Sequence, residues 1–176
     1  KSIAYGGRNV NRAEIVEERF NLTGRLPESL DEFKTQPGNL AQFLWLGRRF
    51  DEVLAATDQP VINEGNLGTR FSCLAFRARA AEPLGRSDLV AKAVPELLAI
   101  AEATGPAAGF DEQTLYSMKV QALTLAGRRV EAVAVARRGI DAASAPGQLS
   151  LRRWREIELA RALAWFGEAP ECVEVL

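Results

Sequence analysis

The chain is 176 residues long, 47% apolar and 26% charged, with a formal net charge of −1. These values fit a soluble domain or short array with a real core, and they exclude a global attraction to nucleic acid or anionic membrane. No apolar run approaches the roughly 20 residues that span a bilayer, and Cys73 and Cys172 lack paired-ligand spacing, so they read as small hydrophobes rather than a disulfide or metal site.

The chain opens on Lys1 without a charged-then-apolar leader, which leaves open a leader already removed or a longer parent chain. "NRAEIVEERF" predicts a short amphipathic helix capped by Asn11. "LPESLDEF" predicts a second, with Pro27 in its first turn and acids near its start. Residues 1–37 therefore read as a helical cap or the tail of a preceding unit, and residues 38–176 as something different.

What sets the rest apart is a recurring phrase. "WLGRRFDEVLAA", "PLGRSDLVAKAV", "LAGRRVEAVAVARRG" and "WFGEAPECVEVL" place Gly47, Gly85, Gly127 and Gly167 at intervals of 38, 42 and 40 residues. Each phrase predicts the end of one helix and the start of the next. Glycine just past a helix takes the left-handed conformation that closes its last carbonyls. The arginines that follow (Arg48, Arg49, Arg86, Arg128, Arg129) lie near the negative helix end, and an acid (Asp51, Asp88, Glu131, Glu171) falls in the next first turn.

The flanks carry helical spacing. Phe71, Leu74, Ala75, Ala78 and Ala81 precede Gly85; Leu115, Tyr116, Val120, Leu123 and Ala126 precede Gly127; Ile157, Ala160, Leu163 and Ala164 precede Gly167. Breaker clusters "TDQPVINEGNLGT", "ATGPAAG" and "SAPGQ" separate the pairs. The strand signal is nearly absent. The expected fold is all-α: seven or eight helices in antiparallel pairs, stacked as a solenoid of about 3.5–4 repeats of roughly 40 residues.

"ALTLAGRRVEAVAVARRGIDAASAP" resembles a tetratricopeptide repeat, with a small residue, a glycine turn, then Ala132, Ala136 and Gly139 at the small positions of the second helix. "ELARALAWFGEAPECVEVL" is similar to the closing repeats of bacterial regulators that carry such arrays, and a bacterial source also fits the excess of arginine over lysine, 18 to 4. The likeness covers about residues 38–176. It departs from the family's 34-residue period, places Arg77 and Lys119 where the family has apolar residues, and has one residue too many after Gly47. HEAT-like repeats, at about 40–47 residues, are the alternative fold. The resemblance implies a concave groove lined by Ser72 and Arg79, then Thr114, Ser117 and Gln121, then Trp154, Ile157 and Arg161.

Catalytic chemistry is not expected. The chain has no histidine, which removes the commonest general base and zinc ligand, and neither "GRNVNR" nor "GNLGTR" has the lysine and spacing of a phosphate loop. Neighbouring carboxylates such as Glu17/Glu18 and Asp51/Glu52 diverge on a helix. No cofactor or metal is expected. "LRRWREIELAR" instead gathers Arg152, Arg153 and Arg155 near a helix start, a basic patch suited to an acidic peptide, with Trp154 as its exposed aromatic. Trp45 and Trp165, each two residues before a glycine, are expected at the packed joints.

The expected function is a non-enzymatic scaffold that binds a protein or peptide segment, acidic ones fitting best, and not nucleic acid. A ligand-sensing regulatory module is the alternative, and a helical enzyme using carboxylates the remote one. The expected compartment is the cytoplasm, with the periplasm or a membrane-anchored parent left open. The phrase at Gly167 predicts a closing helix from Pro170 to Leu176, about two turns long and apolar to its end. A helix that short leaves its neighbour uncovered, so the natural chain is expected to continue, or a second copy to cover this end as a homodimer.

Overall fold

The computed structural model describes residues 3–5, 8–10, 16–17, 20, 24–58, 62–63, 66–105, 112–143, 149–168, 170 and 172. Among them stand seven α-helices: α1 (Pro37–Leu46), α2 (Phe50–Ala56), α3 (Leu67–Ala81), α4 (Ser87–Ala103), α5 (Glu112–Leu125), α6 (Arg129–Ala142) and α7 (Leu149–Trp165). The all-α expectation holds for the body of the chain. A small hairpin precedes it, β1 (Ile3–Tyr5) antiparallel to β2 (Arg8–Val10) with Ile3 opposite Val10. Its signal was present in the glycine pair between two short β-prone segments, "IAYGGRNV". Among the described residues no helix is long and apolar enough to cross a membrane. The chain divides into two compact units, Lys1–Ser87 and Asp88–Leu176.

In the first unit α1 packs against both α2 and α3, and α2 also touches α3. Residues before α1 share their core: Val16, Leu30 and Phe33 cluster with Ala41, Phe43, Leu44 and Val53, and the Phe33 and Phe43 rings meet edge-on at 4.8 Å. The helix expected over Leu26–Phe33 is only one 3-10 turn, Asp31–Phe33. The Ser29 hydroxyl accepts from the Asp31 N–H at 3.2 Å, a local bond that competes with helix formation. Val16, Glu17 and Phe20 are helical, while the Asn11 cap lies outside the described residues.

In the second unit α5 packs on α6, α6 on α7, and α5 also meets α7. Val120, Val135, Ala136, Leu159, Ala162 and Leu163 form its core, flanked by Tyr116, Leu123 and Ile140. α4 contains Pro95. Both Pro95 and Ala91, whose carbonyl loses its partner, are exposed, so the proline stands on the open side of the helix, where a missing bond costs least. Pro170 and Cys172 are helical; the rest of the predicted closing helix lies outside the described residues.

The joints follow the expected chemistry, with one shift. Gly85, Gly127 and Gly167 are left-handed, with φ of 69°, 70° and 80°. At Gly127 the glycine N–H donates to the Thr124 carbonyl at 3.0 Å and the Arg128 N–H to that of Leu123 at 2.9 Å, the paired bonds of a Schellman cap. In the first joint Gly47 has φ −75° and Arg48 takes the left-handed place at φ 58°. The Arg48 N–H donates to Trp45 and the Arg49 N–H to Leu44, both at 2.9 Å. The surplus residue after Gly47 is thus absorbed by moving the turn one position along. Gly47 meets a different need: a Cβ there would lie 2.7 Å from Leu26 Cδ1.

That shift also moves the acid. Arg49 forms a two-pronged pair with Glu52, the Nε bond being 2.6 Å, as Arg128 does with Glu131, at 2.7 Å. Glu52, not the expected Asp51, is therefore the counterpart of Glu131. Arg77 likewise gains an explanation. From α3 its Nη1 donates to the carbonyls of Leu54 and Thr57, each at 2.8 Å, closing the C-terminal end of the seven-residue α2. A helix that short has few other ways to satisfy its last carbonyls.

Candidate binding surface on α7

α7 has two chemically different sides. Towards the core it presents Leu159, Ala160, Ala162 and Leu163, all buried, together with Arg155 and Glu158. Arg155 is 2% exposed. Its Nη1 donates to the Ser117 hydroxyl at 3.0 Å and to Glu158 Oε2 at 2.6 Å, and its guanidinium lies 5.3 Å from the Tyr116 ring centroid. Gly139 on α6 completes the pocket, since a Cβ there would sit 3.2 Å from Arg155 Cδ and 3.4 Å from Tyr116 Cγ.

One arginine thus ties three helices together. It does not join Arg152 and Arg153 on the surface, which corrects the reading of a three-arginine patch. The reason is angular: Arg155 shares the inward phase of Glu158, Leu159 and Ala162, three to seven residues on. Arg152 and Arg153 are exposed, and both pair with Glu156, at 3.0 and 3.3 Å. Their charge is half compensated.

The outward side carries Trp154, Ile157, Arg161 and Ala164, all exposed. Trp154 and Ile157 are each 37% exposed, more than large apolar side chains of a helix usually are. Ile157 and Ala164 therefore stand outside the core stripe in which their spacing had placed them. The Arg161 guanidinium lies 5.7 Å from the Trp154 ring centroid. Among the described residues no carboxylate pairs with it. On α5, Thr114, Ser117 and Gln121 are half-buried, and Ser117 is engaged by Arg155.

Ser72 and Arg79 belong to the first unit, where both are packed. A Cβ on Gly38 would lie 3.0 Å from Ser72 Cβ, so α1 and α3 approach closely there. Arg79 stands 5.7 Å from the Trp45 ring and 5.6 Å from that of Phe76, which lie 6.2 Å from each other. The same unit holds a cleft of about 650 Å³ whose lining includes Leu30, Leu40, Leu44 and Ala56 together with Lys34 and Arg49. Both cations are paired, Lys34 with Asp31 at 2.7 Å and Arg49 with Glu52.

Arg155, Glu158, Ser117, Tyr116 and Gly139 form one packed clamp, and no sequence motif joins them. Glu158, one turn after Arg155 and adjacent to Leu159, was its available signal. The thiol of Cys73 is buried, and burial pushes it up to about 11, which leaves it unreactive near neutrality. Comparisons of the chain with protein-family models, with curated proteins and with solved structures find no match. The family resemblance rests on the chain's own residues.

Proposed function

We propose that the chain is a non-enzymatic helical-repeat scaffold of the tetratricopeptide type, and that it binds a segment of another protein. The observation that carries this reading is the outward side of α7, where exposed Trp154 and Ile157 stand beside Arg161. Tryptophan and arginine together are what interface hot spots use most. The Arg161 guanidinium lies 5.7 Å from the Trp154 ring centroid, and its N–H donors suit a carboxylate of an acidic segment.

Two features support the repeat type. In each unit a first helix contacts the next two, α1 with α2 and α3, α5 with α6 and α7. The same paired-bond turn recurs at Arg48, Gly85, Gly127 and Gly167. A solenoid built this way leaves its first helices lining one face.

Selection from a random peptide library on the purified protein tests the reading. Enriched peptides should carry an acidic residue beside an apolar one, bind more weakly at high salt, and lose about tenfold affinity in W154A and in R161A. No enrichment, or equal binding by the W154A/R161A double variant, would remove it.

The ligand-sensing alternative is favoured by one observation, the cleft of about 650 Å³ in the first unit. Its test is a small-molecule panel scored by thermal shift, with Ala55→Trp, at an exposed position on the cleft wall, filling the space. A shift that survives this substitution would rule out the cleft.

A further inference from the structure

The cleft of the first unit has a charge imbalance in its lining. Its residues come from the stretch around the 3-10 turn, from α1, and from α2 with the joint before it. Leu30 and Leu44 are buried, Leu40 and Ala56 half-buried, and together they make an apolar surface. The space of about 650 Å³ falls in the range of small-molecule sites. The charged part of the lining is three carboxylates against two cations. Lys34 and Arg49 are already paired, with Asp31 at 2.7 Å and with Glu52. The third carboxylate, Glu28, is exposed and has no partner among the described residues.

That imbalance ranks ligands by charge. An anion meets two cations that are already neutralised, and it adds to the negative excess. A neutral apolar body gains only from burial against the leucines. A cation on the same body gains that burial and an opposite charge at Glu28, and it breaks no internal pair. No aromatic ring lines the cleft among the described residues, so a quaternary ammonium finds no π face. An ammonium with N–H groups can instead donate to the Glu28 carboxylate. We infer that the cleft binds a protonated amine carried on an apolar body, the ammonium at Glu28 and the body against Leu30, Leu40 and Leu44. This deepens the ligand-sensing alternative, on which it rests, and is independent of the outward side of α7.

Isothermal titration calorimetry of the full chain tests it with octylamine, octyltrimethylammonium, octanol and octanoate, which share one apolar body and differ in charge. Octylamine should bind saturably and about fivefold more tightly than octanol at low salt, the worth of one exposed ion pair. The preference should fade at high salt. Octyltrimethylammonium should fall between the two, and octanoate should bind more weakly than octanol. Glu28→Gln, at an exposed position, should bring octylamine down to octanol and leave octanol unchanged. Glu28→Asp should keep part of the preference, and Ala55→Trp should remove all binding. Octanoate that binds as tightly as octylamine, a preference for octylamine that survives Glu28→Gln, or no saturable binding by any probe overturns the inference. Thermal shifts from other small molecules that Ala55→Trp abolishes would then leave the ligand-sensing reading standing. Their absence as well would sink both.

Discussion

Arg155 and Glu158, one turn apart on α7, form a buried ion pair at 2.6 Å, with side chains 2% and 7% exposed. The pair is not shielded by water, and its value depends on its remaining partners. Ser117 and Tyr116 from α5 supply them, so the charge is solvated by protein.

Removing only the arginine strands a buried carboxylate, which costs about 3–5 kcal/mol. Removing both charges leaves an apolar site of similar volume, which costs far less. Arg155→Met is therefore expected to lower stability by about 3 kcal/mol or more, and Arg155→Met with Glu158→Leu to recover most of it. Urea unfolding of the two variants beside the wild type decides the matter. Equal losses in both would mean that the clamp acts through packing and not charge.

Arg48 makes a simpler case. A non-glycine residue in the left-handed region carries a strain of about 1 kcal/mol that glycine does not. Its φ of 58° falls there, and the turn's two bonds are otherwise those of the Gly127 joint. Arg48→Gly should raise stability by up to about 1 kcal/mol, seen as a higher urea midpoint. Gly127→Ala, at φ 70° with open space around the added Cβ, should lower it by a similar amount through backbone strain alone.

These two residues mark what a sequence reveals and what it conceals. The helices and joints were legible because capping is local: Gly85, Gly127 and Gly167 each close the helix that precedes them. The left-handed Arg48 was hidden because a glycine stood one position earlier, and what Gly47 serves instead is the space beside Leu26, a residue far from it in sequence. The same holds on α7. Exposure of Trp154 could be read from its neighbours, but Arg155 was grouped with Arg152 and Arg153 by adjacency. Its burial depends on Ser117, Tyr116 and Gly139, which lie on two other helices.

The joint pairs give the pH dependence a sign. Hydrogen bonds from Arg49 and Arg128 hold the Glu52 and Glu131 carboxyls below their usual value of 4.5. The same kind of bond from Lys34 lowers that of Asp31. A carboxyl whose folded value is depressed contributes stability that is fully present above its unfolded value and is lost as pH falls through the folded one. The thermal midpoint should therefore hold steady down to about pH 5 and decline below the ordinary carboxylate range. All three groups are open to solvent, so each contribution is small and salt-sensitive. Glu52→Gln with Glu131→Gln should make the decline shallower, which a pH series of melting curves at low salt would reveal. An unchanged slope would place the acid sensitivity elsewhere.

Arg77 offers a test of why this chain departs from the apolar residue its repeat pattern calls for. Its Nη1 bridges the Leu54 and Thr57 carbonyls at 2.8 Å each, and the side chain is half-buried in the contact between α3 and α2. What methionine cannot do is donate to two carbonyls at the end of a helix of only two turns. Arg77→Met should thus cost about 1–2 kcal/mol, the range for charge-assisted bonds with partial access to water. Arg77→Lys, with one ammonium in place of a planar fork, should recover part of the loss. Lys119 stands at the corresponding place before Gly127 but is exposed, and Lys119→Met should change stability by less than about 0.5 kcal/mol. Hydrogen exchange supplies the local readout: in Arg77→Met the amides of α2 should lose protection before those of α3 and α5. A uniform loss across all helices would assign Arg77 to general packing, and the short second helix would then need another explanation for its stability.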